Sequence, residues 1–134
     1  KINVLTKEGV KTDIGWHYYP EGIEDVIKRF SKYKLPIIIT ENGIADQYDR
    51  YRARYIIQTL YIISRMIKEG ADIRGYMHWS LMDNFEWAEG RSMRFGLYET
   101  DYGNLKFMLR NSGKVYSSIV TQNMISENIQ KFIK

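Results

Sequence analysis

A chain of 134 residues, 44% hydrophobic and 27% charged, has about the length of one domain and a soluble globular balance, which excludes a disordered class. Its net charge of +4 comes from basic residues scattered without a cluster or a basic–aromatic repeat, which fits a solvated surface and argues against nucleic-acid binding. The absence of cysteine excludes disulfides and thiolate metal sites, and no apolar run approaches the roughly 20 residues that span a bilayer.

The chain opens Lys1-Ile2-Asn3-Val4, without Met or a signal-peptide pattern, and reads as a cut through a longer polypeptide or a processed start. Residues 1–19 read as irregular. Pro20-Glu21-Gly22 then opens a helix whose apolar face is Ile23, Val26, Ile27, Phe30 and Tyr33. Pro20 and the acidic Glu21, Glu24 and Asp25 suit its N-terminus. A strand is predicted over 35–41. Its Ile37-Ile38-Ile39 run, between Pro36 and Asn42-Gly43, suits burial on both faces of a parallel sheet.

A helix is predicted over 49–69, with an apolar stripe of Ala53, Ile56, Ile57, Leu60, Ile63 and Ile67 widened by Tyr55, Ile62 and Met66. Gly70 is its natural stop. A second strand is predicted over 74–81, with Met77, Trp79 and Leu81 on one face and Tyr76, His78 and Ser80 on the other. Strand, helix, strand in that order is a βαβ unit, hence an α/β fold with a parallel pair. A long loop over 82–95 follows, then a short extended piece at Phe95–Tyr98 and a turn at Asp101-Tyr102-Gly103-Asn104. C-terminal helices are predicted after 114, over Val115–Thr121 and Ile125–Ile133.

Glu41 stands at the carboxyl end of the first strand, where parallel α/β architectures build their sites. On pattern alone it is equally a working carboxylate, a cap or half of a surface ion pair. The post-strand loops add Asn42, Trp79 and Asp83-Asn84-Phe85-Glu86-Trp87. Flat rings beside carboxylates and an indole N–H are the mixture a sugar needs. Taken singly, Trp79 fits a core role as well, and Glu86 and Trp87 fit an ordinary loop. Asp49 and Arg52, spaced i, i+3, read as a solvated pair. His78 reads as a packing residue, His17 has no evident partner, and two isolated histidines argue against a metal site.

Several motifs in order carry a resemblance. They are Gly15-Trp16 and Tyr19-Pro20-Glu21-Gly22, Ile39-Thr40-Glu41-Asn42-Gly43, and Asp49-x-x-Arg52-x-x-Tyr55. Trp79-Ser80-Leu81-Met82-Asp83-Asn84-Phe85-Glu86-Trp87 and Arg94-Phe95-Gly96-Leu97 follow. Together they resemble glycoside hydrolase family 1, the retaining β-glycosidases with a (β/α)8 TIM barrel. Gly43-Ile44-Ala45-Asp46 and Arg74-Gly75-Tyr76 are similar to its thermophilic archaeal branch.

The resemblance implies a β-galactosidase or β-glucosidase type of activity without a cofactor, in the cytoplasm. It implies Glu41 as the nucleophile, with Trp79, Glu86, Trp87 and Phe95 binding the substrate. Glu86 would hold hydroxyls and Trp87 would donate its indole N–H. Phe95 would stand near the C6 side of the sugar. An acidic Glu86 would repel a sugar phosphate, so a non-phosphorylated β-glycoside is the implied substrate.

A retaining glycosidase needs two carboxyl groups about 5 Å apart. Family members carry the acid/base in a Thr-x-Asn-Glu-Pro segment that this sequence lacks, its prolines being Pro20 and Pro36. Since such a barrel takes about 250 residues, the chain corresponds to the last two strands, their helix and the terminal helices. It is expected to be incomplete and inactive alone, with the N-terminal barrel segment as its partner, in another chain or the same precursor. A non-catalytic sugar-binding remnant is the alternative. The wide face of the 49–69 helix fits a homo-oligomer or a buried barrel helix equally.

Overall fold

The computed structural model describes residues 9–126. In chain order it contains helix α1 (Gly22–Ser31), strand β1 (Ile37–Asn42), helix α2 (Arg52–Lys68) and strand β2 (Ile73–His78). A single 3-10 turn over Trp87–Glu89, strands β3 (Tyr98–Asp101) and β4 (Lys106–Leu109) and helix α3 (Asn111–Gln122) follow. Most of the predicted helix over Ile125–Ile133 lies outside the described residues.

β1 and β2 pair in parallel, with Ile37 opposite Ile73, Ile38 opposite Gly75 and Asn42 opposite His78. The helices cover one face of this pair. Ile27 of α1, Ile39 of β1 and Ile62, Ile63 and Met66 of α2 form one core, closed by Ile73 and Tyr76. A second core joins Ala53, Ile56 and Ile57 of α2 to Leu97 and to Val115 and Ile119 of α3. Burying an aliphatic side chain as large as Ile56 or Ile57 contributes about 1.5–3 kcal/mol. Most of the stripe along α2 is therefore used within the chain, while Ile67 stays 47% exposed.

The opposite face is bare. Ile38 and Met77, alternate residues that the pleat sends away from the helices, are 56% and 53% exposed. The triple-Ile run thus has one covered face and one open one. Of the predicted face of α1 only Ile27 is fully buried, while Val26, Phe30 and Tyr33 are exposed. They line an apolar groove of about 460 Å³ along β1, with Pro36 and Ile38.

β1 runs over Ile37–Asn42 rather than 35–41, and α3 starts at Asn111 rather than after 114; three further differences from the sequence prediction have a local reason. α2 begins at Arg52 rather than at 49, because Asp49 has a left-handed backbone (φ 55°) that a helical residue does not adopt. β2 ends at His78 rather than at 81, because the Ser80 backbone bonds to Phe95 and Leu97 instead of to β1. The segment from 98 to 109 is an antiparallel hairpin, Tyr98 opposite Leu109, where a lone extended piece and a turn were predicted. Asp101 makes that turn by accepting from the Gly103 and Asn104 amides.

A parallel pair with a free edge and an apolar groove beside it is an association template. The chain taken alone should therefore self-associate and melt without a cooperative transition. Sedimentation velocity and a near-UV circular dichroism melt check this; a monodisperse monomer with one sharp melt would contradict it.

Candidate active site

The carboxyl ends of β1 and β2 bring the two predicted site loops together. The Trp79 amide donates to the Asn42 carbonyl at 3.0 Å. Gly43 lies so close to Trp79 that a β-carbon there would stand 1.8 Å from the Trp79 carbonyl oxygen. Only glycine permits this approach. Trp79 is part of that junction, and Glu41 stands one residue before Asn42.

Asn42 is fixed from both flanks. Its amide nitrogen donates to the Tyr55 hydroxyl at 3.3 Å, and its side-chain oxygen accepts from Tyr76 at 3.1 Å. Burial pushes both phenols above their usual range, so both stay protonated and able to donate across the working pH range. Sequence reasoning included Tyr55 in a motif but assigned it no task, and it read Tyr76 only as a strand residue. Their signal was placement: Tyr55 lies on the buried face of α2, and Tyr76 borders the core of Ile27, Ile39 and Met66.

Glu41 is exposed, and among the described residues its carboxylate makes no hydrogen bond or ion pair. The cap and ion-pair readings therefore find no partner. Trp79 is half-buried and Trp87 is 84% exposed. Glu86 is half-buried, and its Oε2 is enclosed without a hydrogen-bond partner among the described residues. A buried acceptor left open is costly unless something fills it. Phe95 is only 3% exposed, its ring lying 6.0 Å from that of Trp16, so it forms a wall rather than an open platform.

Beneath the loops lie two buried charge clusters. Arg52, read from sequence as half of a solvated pair, is fully buried. Its guanidinium meets Asp49 at 2.5 Å, the Asp46 carbonyl at 2.5 Å and the Arg94 carbonyl at 2.7 Å. Asp46 also accepts from the Tyr51 and Arg52 amides at the start of α2, and Asp49 accepts from the Ser112 amide at the start of α3. The second cluster is centred on Asp83, which accepts from the Gly96 amide at 2.8 Å, Arg110 at 2.9 Å and the Thr100 amide at 3.2 Å. Arg94 approaches it at 3.4 Å. Sequence reading placed Asp83 among possible sugar contacts; the structure uses it as a support.

His78 packs against Tyr116, ring centroids 6.0 Å apart. Burial, reinforced by the nearby Arg52 charge and opposed by the Phe95 backbone, pushes its pKa down to about 3. It is buried in the neutral form against Tyr116.

The sequence profile of Glycosyl hydrolase family 1 matches residues 2–125. The chain is 45% identical over 130 residues to a β-galactosidase of Saccharolobus solfataricus, an alignment covering 96% of this chain and 27% of that protein. It superposes on a β-glycosidase from Pyrococcus horikoshii with a TM-score of 0.91 at 41% identity, covering 99% of this chain and 31% of the other. A β-glucosidase mutant derived from a hyperthermophilic tetrameric structure matches with a TM-score of 0.88 at 48% identity, over 92% of this chain and 26% of the other. The chain belongs to glycosyl hydrolase family 1. It spans roughly a quarter to a third of the relatives it matches, and its two parallel strands are part of their TIM barrel rather than a closed barrel of their own.

Two outcomes follow for a chimera in which this chain replaces the matching stretch of the Pyrococcus horikoshii β-glycosidase. Arg52→Ala leaves Asp49 and two carbonyls without their cation and should cost about 3–5 kcal/mol of stability, read from denaturant unfolding. His78 takes up its proton only in the unfolded state over the range between the ordinary histidine value and its own. Stability should therefore be full above about pH 6.5 and fall by about 1.4 kcal/mol per unit as pH drops towards 3. His78→Phe should flatten that limb in unfolding curves between pH 7 and about 4; an unchanged slope would assign the loss to the carboxylates.

Proposed function

We propose that the chain is the nucleophile-bearing part of a retaining β-glycosidase acting on non-phosphorylated β-galactosides or β-glucosides. One observation carries this most directly: Glu41, exposed and without a hydrogen-bond or ion-pair partner among the described residues, stands at the carboxyl end of a parallel strand, one residue before the Asn42–Trp79 contact.

In this reading a Glu41 carboxylate oxygen attacks the anomeric carbon, the glycosidic C–O bond breaks, and a glycosyl-enzyme forms. Water then displaces the sugar from Glu41, and two inversions leave the configuration retained. The leaving oxygen needs a proton that no residue assigned here supplies. The second carboxyl group comes from the preceding barrel segment, in another chain or the same precursor, and without it the chain is inactive on alkyl glycosides.

Glu86 accepts from the sugar's hydroxyls through its carboxylate. Trp87 donates its indole N–H, Trp79 offers a flat face, and Phe95 with Trp16 forms the wall on the C6 side. Because Glu86 is anionic, a sugar phosphate is repelled. A cytoplasmic site of action and a homo-oligomer complete the proposal. The tetrameric origin of one structural relative supports the latter.

The lack of an acid/base segment in this sequence favours one rival, a sugar-binding remnant without catalysis. A 2-fluoro glycoside with a good leaving group separates the two, since it needs little acid assistance. Incubated with the chimera, it should add one glycosyl mass to the peptide containing Glu41, and Glu41→Gln should abolish the labelling. Sugar binding without any covalent mass would establish the remnant.

A further inference from the structure

The loop that carries Glu86 and Trp87 is closed on itself. The Glu86 amide donates to Gly90 at 2.6 Å, Gly90 to Trp87 at 3.1 Å, and Ser92 to Glu89 at 3.3 Å. Trp87 and Gly90 both have left-handed backbones, φ 46° and 61°. None of these bonds reaches the rest of the fold, so the direction in which Glu86 and Trp87 face is set at the base of the loop.

Tyr102 occupies that base, within the turn between β3 and β4. Its hydroxyl donates to the Asn84 carbonyl at 2.9 Å, at the loop's entrance. The guanidinium carbons of Arg91 and Arg94, at the loop's exit, both lie 4.8 Å from its ring centroid. Cations at this range are attracted by the ring's quadrupole. Arg94 is itself fixed, its guanidinium donating to Thr100 at 3.1 Å and its carbonyl accepting from Arg52 at 2.7 Å. One aromatic ring therefore pins both ends of the Asn84–Arg94 loop to the buried charge clusters beneath it.

We infer that Tyr102 is a positioning residue of the sugar site: its grip on Asn84, Arg91 and Arg94 sets where Glu86 and Trp87 meet the sugar. It does not touch the substrate. The inference rests on the glycosidase reading above, and it predicts a loss in sugar recognition more than in bond cleavage. Glu41 stands apart in β1, next to Asn42, which Tyr55 and Tyr76 hold.

The test uses the chimera with an aryl β-glycoside whose good leaving group minimises the demand for acid. Losing two cation–ring contacts and a hydrogen bond, Tyr102→Leu should raise KM about tenfold while changing kcat by less than about threefold. Tyr102→Phe keeps the ring and should recover most of that loss. Hydrogen exchange should quicken at the Glu86, Glu89, Gly90 and Ser92 amides and stay unchanged at Trp79 and Leu97. An unchanged KM and loop exchange in Tyr102→Leu would overturn the inference. So would exchange that quickens throughout the chain with KM unmoved, which is the mark of a merely structural residue. Covalent labelling of Glu41 in the parent alongside either result sinks this inference alone; a parent that neither labels nor binds sugar sinks the glycosidase reading and this inference with it.

Discussion

One buried cation ties the loop after β1 to the loop after β2. Arg52 sits at the first turn of α2 with no exposed surface, and desolvation lowers its pKa against the pull of Asp49 and Asp46. A guanidinium is tolerated there because its two terminal nitrogens are met by groups from separate loops, while Nε has no hydrogen-bond partner among the described residues. Those groups are Asp46 and Asp49 from the loop after β1, and Arg94 from the loop after β2. The charge that α2 brings into the core thus ties together the segment that follows Glu41 and the segment that follows Trp79. Hydrophobic burial could not do this, because it has no direction.

Asp83 extends the same logic one layer further. It lies four residues beyond Trp79, and its carboxylate gathers Gly96, Thr100 and Arg110. Gly96 is needed because a β-carbon there would stand 2.3 Å from the Asp83 amide nitrogen. The hairpin of β3 and β4 is therefore a buttress. It delivers Thr100 and Tyr102 to the underside of the loop while most of its own second strand faces outward. Its stabilising contacts run through polar groups at defined positions, which suits a scaffold for a site better than a second apolar core would.

What the sequence made legible and what it hid follow the same division. The period of 3.6 along α2 and the apolar run of β1 reflect burial against neighbours, and burial leaves a pattern in composition. The convergence of Glu41 with Trp79 was legible too, because glycine and asparagine after a strand mark a constrained exit. Arg52 with Asp49 was misread because i, i+3 spacing describes two positions on a helix, whereas Asp49 lies outside the helix in a left-handed conformation. The β3–β4 hairpin escaped because Lys106 to Leu109 is exposed on both faces and carries no alternation to read. Tyr102 looked like turn punctuation, since its contacts lie at positions 84, 91 and 94 and no local spacing signals them.

The two halves of the candidate site are held with unequal stiffness. Glu41 is part of a strand, next to an asparagine fixed by two tyrosines from different elements. A reacting carboxylate must stand within a fraction of an ångström of the anomeric carbon, and regular structure supplies that precision. Glu86 and Trp87 stand on a loop whose internal bonds are all local, joined to the fold through Asn84, Tyr102 and the arginines at its exit. Recognition of hydroxyl patterns tolerates small adjustments, and loops on a rigid base are where such adjustments are made. Under the proposed function, chemistry on the strand and recognition on the loop can then vary separately, so a change of sugar preference need not disturb Glu41.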